Sequence, residues 1–183
     1  SMNNVEIQNS QHDVCRILSM ALLSDNELDD REVAAMIETR IQDKMGITPD
    51  QFRSALHQLC EEILLDDGDK AGVAVTDPDQ AIEMMVLINR DASMSFDDIS
   101  QLVDLIYDTD STVIKATLLD DKRIDETLDR IDNPQLQLWI CGMLLYLIKA
   151  DNVIHENEKA FLNHVLKHWG ITSDMFLDQL EKW

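Results

Sequence analysis

Two pairs of segments in this chain repeat each other, and this duplication constrains the fold more than any other feature. Residues 15–34 align without gaps with residues 141–160, and residues 45–56 align in the same way with residues 169–180. Each pair of blocks holds six identical positions, so 12 of 32 aligned positions match, where chance would give about two. This repetition predicts one helical unit used twice, with pseudo-two-fold symmetry.

The first block of each copy reads as an apolar helix that ends in an Asp-Asn turn. Residues 14–23 and 138–148 are apolar almost all round, a pattern that predicts helices buried at the centre of a bundle. The Asp-Asn pairs at 25–26 and 151–152 then end these helices. Asn tolerates the left-handed conformation that closes a helix, and Asp forms local side-chain turns.

A second, capped helix follows each turn. In the first copy Asp29 and Glu32 form a capping box of the D-x-x-E type. His155 occupies the position of Asp29 in the second copy, and His is a poorer N-cap, so this helix should begin less firmly. We expect the two helices to end at Gly46 and Gly170, the residue type favoured just beyond a helix.

A third helix completes each copy. Thr48 and Thr172 are the expected N-caps, and an Asp follows each of them in the first turn. Phe52 and Phe176 come four residues after these caps and should anchor the helix to the core.

The region between the copies also reads as helical. The predicted helices lie at about 78–89, 95–107, 111–119 and 123–131, after a loop at 66–79 with a weak strand signal at 72–76. Asn133-Pro134 then opens the central helix of the second copy, because the missing N–H of Pro costs least in a first turn. With only 5 Gly and 3 Pro in 183 residues, the chain favours long helices over many short strands.

These patterns predict an all-α fold, a compact helical bundle built from an internal duplication. We expect a single domain at residues 10–183, because no linker separates the two copies. The copies lie at about 10–60 and 133–183, with a helical connecting region at 61–132. Residues 1–9 are read as an N-terminal tail that begins with a cloning remnant, Ser1.

The composition narrows the classes of function. A net charge of −21, from 36 acidic and 15 basic residues, argues against binding nucleic acid or anionic membranes. It suits metal cations, a basic protein partner, or solubility alone. The longest apolar run, residues 138–148, is too short to span a bilayer, and no signal peptide is visible. The three cysteines form no CxxC pair, so we expect buried free thiols in a reducing cytoplasm.

The duplicated turn with its capped helix resembles the TerB-like family, named for a tellurite-resistance protein. The family pattern is an apolar helix, a small residue, Asp and Gly, a hydrophobic residue, and a helix with Glu at its third position. Residues 24–28 with Glu32 and residues 150–154 with Glu158 carry it here, and the resemblance spans about residues 10–183. It implies an all-helical duplication and a role in tellurite resistance, stress response or divalent-metal binding.

The chain departs from the family pattern at particular positions. Both turns have Asn, at 26 and 152, where the family usually has Gly, and His155 replaces the usual polar N-cap. The segment at 65–80 looks like an insertion or a variable loop. A related domain also occurs beside DnaJ-type modules, but this chain carries no His-Pro-Asp signature, so a co-chaperone role would need a partner.

Acidic residues around the two turns are the candidate metal ligands, because calcium and magnesium take several oxygen ligands. The candidates are Asp25, Glu27, Asp29, Asp30, Glu32, Asp151, Glu156 and Glu158. The competing interpretation is purely structural: the aspartates stabilise turns and the glutamates cap helices. We favour this structural role for Glu32 and Glu158. The first copy, however, carries more acidic residues than a turn requires, namely Glu27, Asp29 and Asp30.

Specific metal motifs are absent from the sequence. A calcium loop of the EF-hand type that starts at Asp25 would need Gly at position 30 and Glu at position 36, where the chain has Asp30 and Met36. No His follows a Glu by three residues, which excludes a ferritin-like di-iron site. His164 and His168 are four residues apart, a spacing that could hold a transition metal, but without a third ligand an exposed pair is favoured.

The sequence therefore predicts a non-enzymatic cytoplasmic binding module of the stress-response type. Its acidic face would bind a divalent cation weakly, or a basic protein partner, and no other cofactor is expected. No GxSxG, P-loop or GxGxxG motif is present, and so no catalytic residue is assigned. The alternatives are a metal-dependent enzyme acting on a small substrate, and an acidic mimic of nucleic acid that occupies a basic protein.

Overall fold

A computed structural model describes residues 4–24, 46–48, 121–149 and 156–182, together with single positions between 51 and 62 and residue 104. Its helices are α1 (Asn4–Leu23), α2 (Asp121–Asp129), α3 (Pro134–Lys149), α4 (Glu156–His168) and α5 (Ser173–Glu181). The described positions from 51 to 62 are helical as well. The described part of the chain contains no strand, which confirms the all-α prediction.

Helices α1 and α3 supply much of the core. Ile17 and Leu18 of α1 and Leu136 and Ile140 of α3 are completely buried. Helix α1 packs against α2, α3 and α4, and α3 also packs against α4 and α5. The burial of these two apolar helices agrees with the prediction from their sequences, because a helix that is apolar on every side must be covered on every side.

Local signals set the start of α3 and the end of α4. Asn133 caps α3, since its Oδ1 accepts from the backbone N–H of Leu136 at 3.0 Å, and Pro134 is the first helical residue, as predicted. Beyond α4, Gly170 adopts a left-handed φ of 66°. The amides of Gly170 and Ile171 then donate to carbonyls of the last turn, at 3.1 and 2.9 Å, which is the Schellman arrangement.

The corresponding positions of the first copy behave in the same way. Gly46 has a φ of 64°, and Phe52 is buried. Thr48 and Gln51 form a reciprocal capping box: Gln51 N–H donates to Thr48 Oγ1 at 3.2 Å, and Thr48 N–H donates to Gln51 Oε1 at 2.7 Å. At the start of α5, Thr172 Oγ1 accepts from the N–H of Met175 at 3.3 Å. Both predicted Thr caps are therefore confirmed.

A buried arginine joins three parts of the fold. Arg16 of α1 donates from Nε to Thr127 Oγ1 of α2 at 2.9 Å. Its two terminal nitrogens bind the two carboxylate oxygens of Glu62 at 3.0 and 2.5 Å. Arg123 Nε also lies 3.7 Å from Glu62 Oε2. A bidentate pair of this kind fixes direction as well as distance, so Glu62 holds its segment against α1 and α2.

Several predictions fall beyond the described residues. They are the two Asp-Asn turns, the second helix of the first copy, the loop at 66–79 with its weak strand signal, and the helices at about 78–89 and 111–119. Of the helix predicted at about 95–107, only residue 104 is described, and it is helical. The pseudo-two-fold duplication as a whole therefore stays a prediction, although aligned positions such as Leu18 and Leu144 are both buried. Helix α1 begins at Asn4, inside the segment assigned to a tail. No helix among the described residues is long and apolar enough to cross a membrane.

Candidate metal centre

Helices α2 and α4 each present two polar residues spaced four apart, and these residues face each other. Asp125 and Asp129 lie on α2, and His164 and His168 lie on α4. Residues four apart share one face of a helix, so each helix contributes a single polar edge. The two shortest Asp-His contacts, both at 2.6 Å, join residues separated by 39 positions, so the two helices lie side by side and run in the same direction.

The distances define a compact cluster around one carboxylate oxygen. His164 Nε2 lies 2.6 Å from Asp125 Oδ1, and His168 Nδ1 lies 3.4 Å from the same oxygen. His168 Nε2 lies 2.6 Å from Asp129 Oδ1. The two imidazole rings stack with their centroids 6.1 Å apart and their planes 19° from parallel. Asp125, His164 and His168 thus offer three ligand atoms that all lie within 4.8 Å of one another.

Apolar neighbours hold these polar residues in place. Helix α2 buries Ile124 and Leu128, each directly before one aspartate of the pair. Helix α4 buries Val165, directly after its first histidine. Trp169 follows the second histidine and donates from Nε1 to the carbonyl of Leu128 at 3.1 Å. Because these contacts fix the rotation of both helices, the aspartates and histidines face each other without having to move.

The cluster lies at the protein surface but is not fully solvated. The side chains of His164, His168 and Asp125 are 20, 25 and 36 % exposed. Groups in this range are screened less by water and salt than fully exposed side chains. A cation could therefore reach the cluster from solvent and still be attracted more strongly than at an ordinary surface carboxylate.

The donor set suits a transition metal. Two imidazole nitrogens and one carboxylate oxygen make up a common set of three protein ligands for zinc, with a fourth position left for water or another ligand. Imidazole also suits copper, iron and nickel, whereas calcium and magnesium prefer sites made of oxygen alone. The sequence left the histidine pair without a third ligand, and the structure places a candidate for it, Asp125, beside both histidines.

Two of the eight acidic residues predicted as ligands are described by the structure, and neither belongs to this cluster. Asp25, Glu27, Asp29, Asp30, Glu32 and Asp151 lie outside the described residues. Glu156 is exposed and pairs with Lys159 at 2.7 Å. Glu158 is buried and is the third residue of α4, the position from which a Glu reaches back to an N-cap. Neither glutamate belongs to the group of Asp125, His164 and His168.

The sequence signal for the two aspartates that the sequence analysis missed is present but weak. Asp125 and Asp129 repeat the four-residue spacing of His164 and His168 on another predicted helix. In a chain with 36 acidic residues, an Asp pair at this spacing is common and carries little information by itself. Only the packing of α2 against α4 singles it out.

The described cysteines play no part in the cluster. Cys15 and Cys141 are buried free thiols, as predicted, and Cys60 lies outside the described residues. Burial raises the pKa of the Cys15 thiol to about 12, because an apolar environment disfavours the charged thiolate. The pKa of Cys141 is raised further for the same reason. Both thiols are therefore neutral at physiological pH and poor ligands for a metal.

Comparison of the chain with protein-family models, with curated proteins and with solved structures gives no match. The TerB-like resemblance therefore stays a prediction from the sequence. The functional interpretation of the cluster depends on its own geometry and chemistry.

Proposed function

We propose that this protein is a non-enzymatic module that binds a divalent transition-metal ion, zinc foremost, through Asp125, His164 and His168. One observation carries the proposal: two helices bring three donor atoms of suitable chemistry within 4.8 Å of one another. One separation, 3.4 Å between His168 Nδ1 and Asp125 Oδ1, already matches that between ligand atoms on a bound metal. In a tetrahedral site with bonds of about 2.0–2.2 Å, neighbouring ligand atoms lie roughly 3.3–3.5 Å apart.

The site would favour zinc over the hard cations. A calcium or magnesium ion would have to accept two imidazole nitrogens in place of the oxygen ligands that it prefers. A zinc ion would gain three favourable bonds and keep water in its open position. The net charge of −21 raises the local concentration of any cation near the surface, so discrimination must come from the ligands themselves.

The bound ion would join α2 to α4. Its ligands come from both helices, so it would add a cross-link beside the hydrogen bond from Trp169 to the carbonyl of Leu128. An ion that binds only the folded state stabilises it by mass action, by about 2.7 kcal/mol at a free concentration 100 times its Kd. This coupling supports a role in which the stability of the helical bundle depends on the free concentration of the metal ion.

The proposal is compatible with the cation-binding role expected from the sequence, although it places the ion elsewhere. Binding of a cation or a basic protein at the Asp-Asn turns, a role in tellurite resistance or stress response, and a cytoplasmic location remain predictions. NMR titration with magnesium and calcium tests the turns separately. Shifts confined to the neighbourhood of Asp25 or Asp151 would support a second cation site there, and no shift near either residue would contradict it.

Calorimetric titration of chelator-treated protein with zinc tests the proposal. We expect one zinc ion per chain and much weaker binding of magnesium and calcium. Asp125→Asn, His164→Gln and His168→Gln should each reduce zinc affinity at least tenfold. The matched controls are His12→Gln, an exposed histidine of α1, and Glu126→Gln, an exposed carboxylate beside the site on α2. Equal zinc affinity in the site and control variants would contradict the proposal.

A further inference from the structure

Asp129 contacts the proposed metal centre without belonging to its ligand group. Its Oδ1 lies 2.6 Å from Nε2 of His168, whose Nδ1 faces Asp125. Given the proposed function, we infer that Asp129 is a positioning residue: it holds His168 as the Nε2–H tautomer and so presents Nδ1 to the metal. The assignment adds a second carboxylate, with a different role from that of Asp125.

Hydrogen-bond chemistry fixes the tautomer. An ionised carboxylate only accepts hydrogen bonds, so the proton of the Asp129–His168 contact must be on Nε2. In a neutral imidazole one nitrogen donates and the other accepts, which leaves the lone pair on Nδ1. The contact therefore decides which of the two nitrogens of His168 is able to bind a metal.

The position of Nδ1 agrees with this assignment. Nδ1 lies 3.4 Å from Asp125 Oδ1, a separation already close to that of neighbouring ligands on a tetrahedral zinc ion. His164 Nε2 lies 2.6 Å from the same oxygen, so this pair must open by less than about 1 Å when the ion replaces the proton between them. Of the two histidines, His168 is thus the one already oriented as a ligand.

A carboxylate in this position has a recognised effect on metal sites. A ligating histidine usually donates its other N–H to a carboxylate or carbonyl, which fixes the ring and makes the ligand nitrogen more basic. Loss of such a partner typically lowers metal affinity by 10–100-fold. The Asp129 side chain is 68 % exposed, so its effect is screened and we expect the lower end of that range.

The test combines zinc affinity with a direct reading of the tautomer. Asp129→Ala should lower zinc affinity about tenfold while one ion still binds per chain. The matched control is Asp178→Ala on α5, which removes an equally exposed Asp (67 %) from an ion pair with Lys182. The control accounts for the lost unit of charge and should leave zinc affinity within twofold of the unmodified protein.

Nitrogen-15 NMR of the ring nitrogens, in metal-free protein at a pH where His168 is neutral, reads the tautomer. We expect Nε2–H in the unmodified protein and in the Asp178→Ala variant, and a mixture of tautomers in Asp129→Ala. An Nδ1–H tautomer in the unmodified protein would overturn the inference, whether or not zinc binds. Zinc binding that is equal in the Asp129→Ala and Asp178→Ala variants would overturn it and leave the proposed function intact. Failure of the unmodified protein to bind zinc would overturn both.

Discussion

At the scale of single residues, what an aspartate does here depends on what it touches. Asp125 is held between two imidazoles, whereas Asp178 is exposed and pairs with Lys182 one helical turn away. An exposed pair of the second kind contributes about 0.3–0.5 kcal/mol and is weakened further by salt. Asp125, in contrast, contacts two imidazoles, which are common metal ligands, and its charge is screened less by solvent. Charge alone therefore cannot identify the important acids of this chain.

Replacing Gly170 tests the left-handed residue beyond α4. Its φ is 66°, and no atom lies within 4 Å of where a Cβ would be, so a side chain would meet no neighbour. Any loss of stability in Gly170→Ala must then come from the backbone conformation, and we expect about 1–2 kcal/mol. Gly170→Asn should lose less, because Asn tolerates this conformation. Urea unfolding compares the two variants, and a loss as large for Asn as for Ala would contradict the backbone explanation.

The buried thiols give a prediction about pH and reactivity. The pKa of Cys15 is about 12 in the folded protein, above the value of about 8.5 for an unperturbed thiol. The unfolded state therefore loses this proton first. The contribution of this thiol to the free energy of unfolding is constant below about pH 8.5 and falls as the pH rises towards 12. At pH 8 a Cys60→Ser variant should incorporate no iodoacetamide when folded and two equivalents in urea, as measured by mass spectrometry. Rapid labelling of the folded variant would contradict the burial of both thiols.

At the scale of helices, the two Thr caps differ in one residue. Gln51 completes a reciprocal capping box with Thr48, whereas the aligned position in the second copy is Met175, an exposed residue whose side chain cannot complete the box. Met175→Gln should therefore stabilise the protein by about 0.5 kcal/mol by satisfying the N–H of Thr172. Met175→Ala is the control, since it removes the exposed Met without adding an acceptor. Thermal unfolding should rank Gln above Ala, and the reverse order would contradict this explanation.

The contact of Glu62 with Arg16 and Arg123 links the 51–62 segment to α1 and α2. Arg16 is buried and binds Glu62 through two nitrogens, so removing the carboxylate charge leaves this cation poorly compensated. Because Glu62 itself is partly exposed, we expect Glu62→Gln to cost about 1–3 kcal/mol, below the loss for a fully buried pair. Glu126→Gln removes an exposed pair with Lys122 and should change stability by less than about 0.5 kcal/mol. Similar losses in both variants would contradict the assignment.

Several helix ends were predictable from the sequence, but which faces of two helices pack against each other was not. Asn133-Pro134, Gly170 and Thr172 act through neighbours within a few residues, and so the sequence was sufficient to predict the start of α3, the end of α4 and the start of α5. The pairing of Asp125 with His164 joins residues 39 positions apart. It depends on the rotation and register of two packed helices, which no local pattern specifies. The histidine spacing was visible in the sequence, whereas the ligand that completes it was not.

At the scale of the whole molecule, the charge of −21 opposes folding, because like charges are brought together in the compact state. Sodium chloride should stabilise the protein, since the screening length falls from about 10 Å at 0.1 M to about 3 Å at 1 M. Magnesium and calcium should also stabilise the protein without binding at a specific site, and at lower concentrations than sodium chloride. This effect acts on every variant in the same way and therefore provides the background for any specific metal effect.

Zinc should raise the midpoint of thermal unfolding beyond this background. Saturation at 100 times the Kd adds about 2.7 kcal/mol, and the gain requires the centre between α2 and α4. We therefore expect His164→Gln to respond to sodium chloride and magnesium like the unmodified protein but to lose the additional stabilisation by zinc. The unmodified protein should also lose it when a chelator is added, which separates a bound ion from a change in ionic strength. If zinc stabilised His164→Gln as much as the unmodified protein, its effect would come from the acidic surface in general, and the centre formed by Asp125, His164 and His168 would not be the cause.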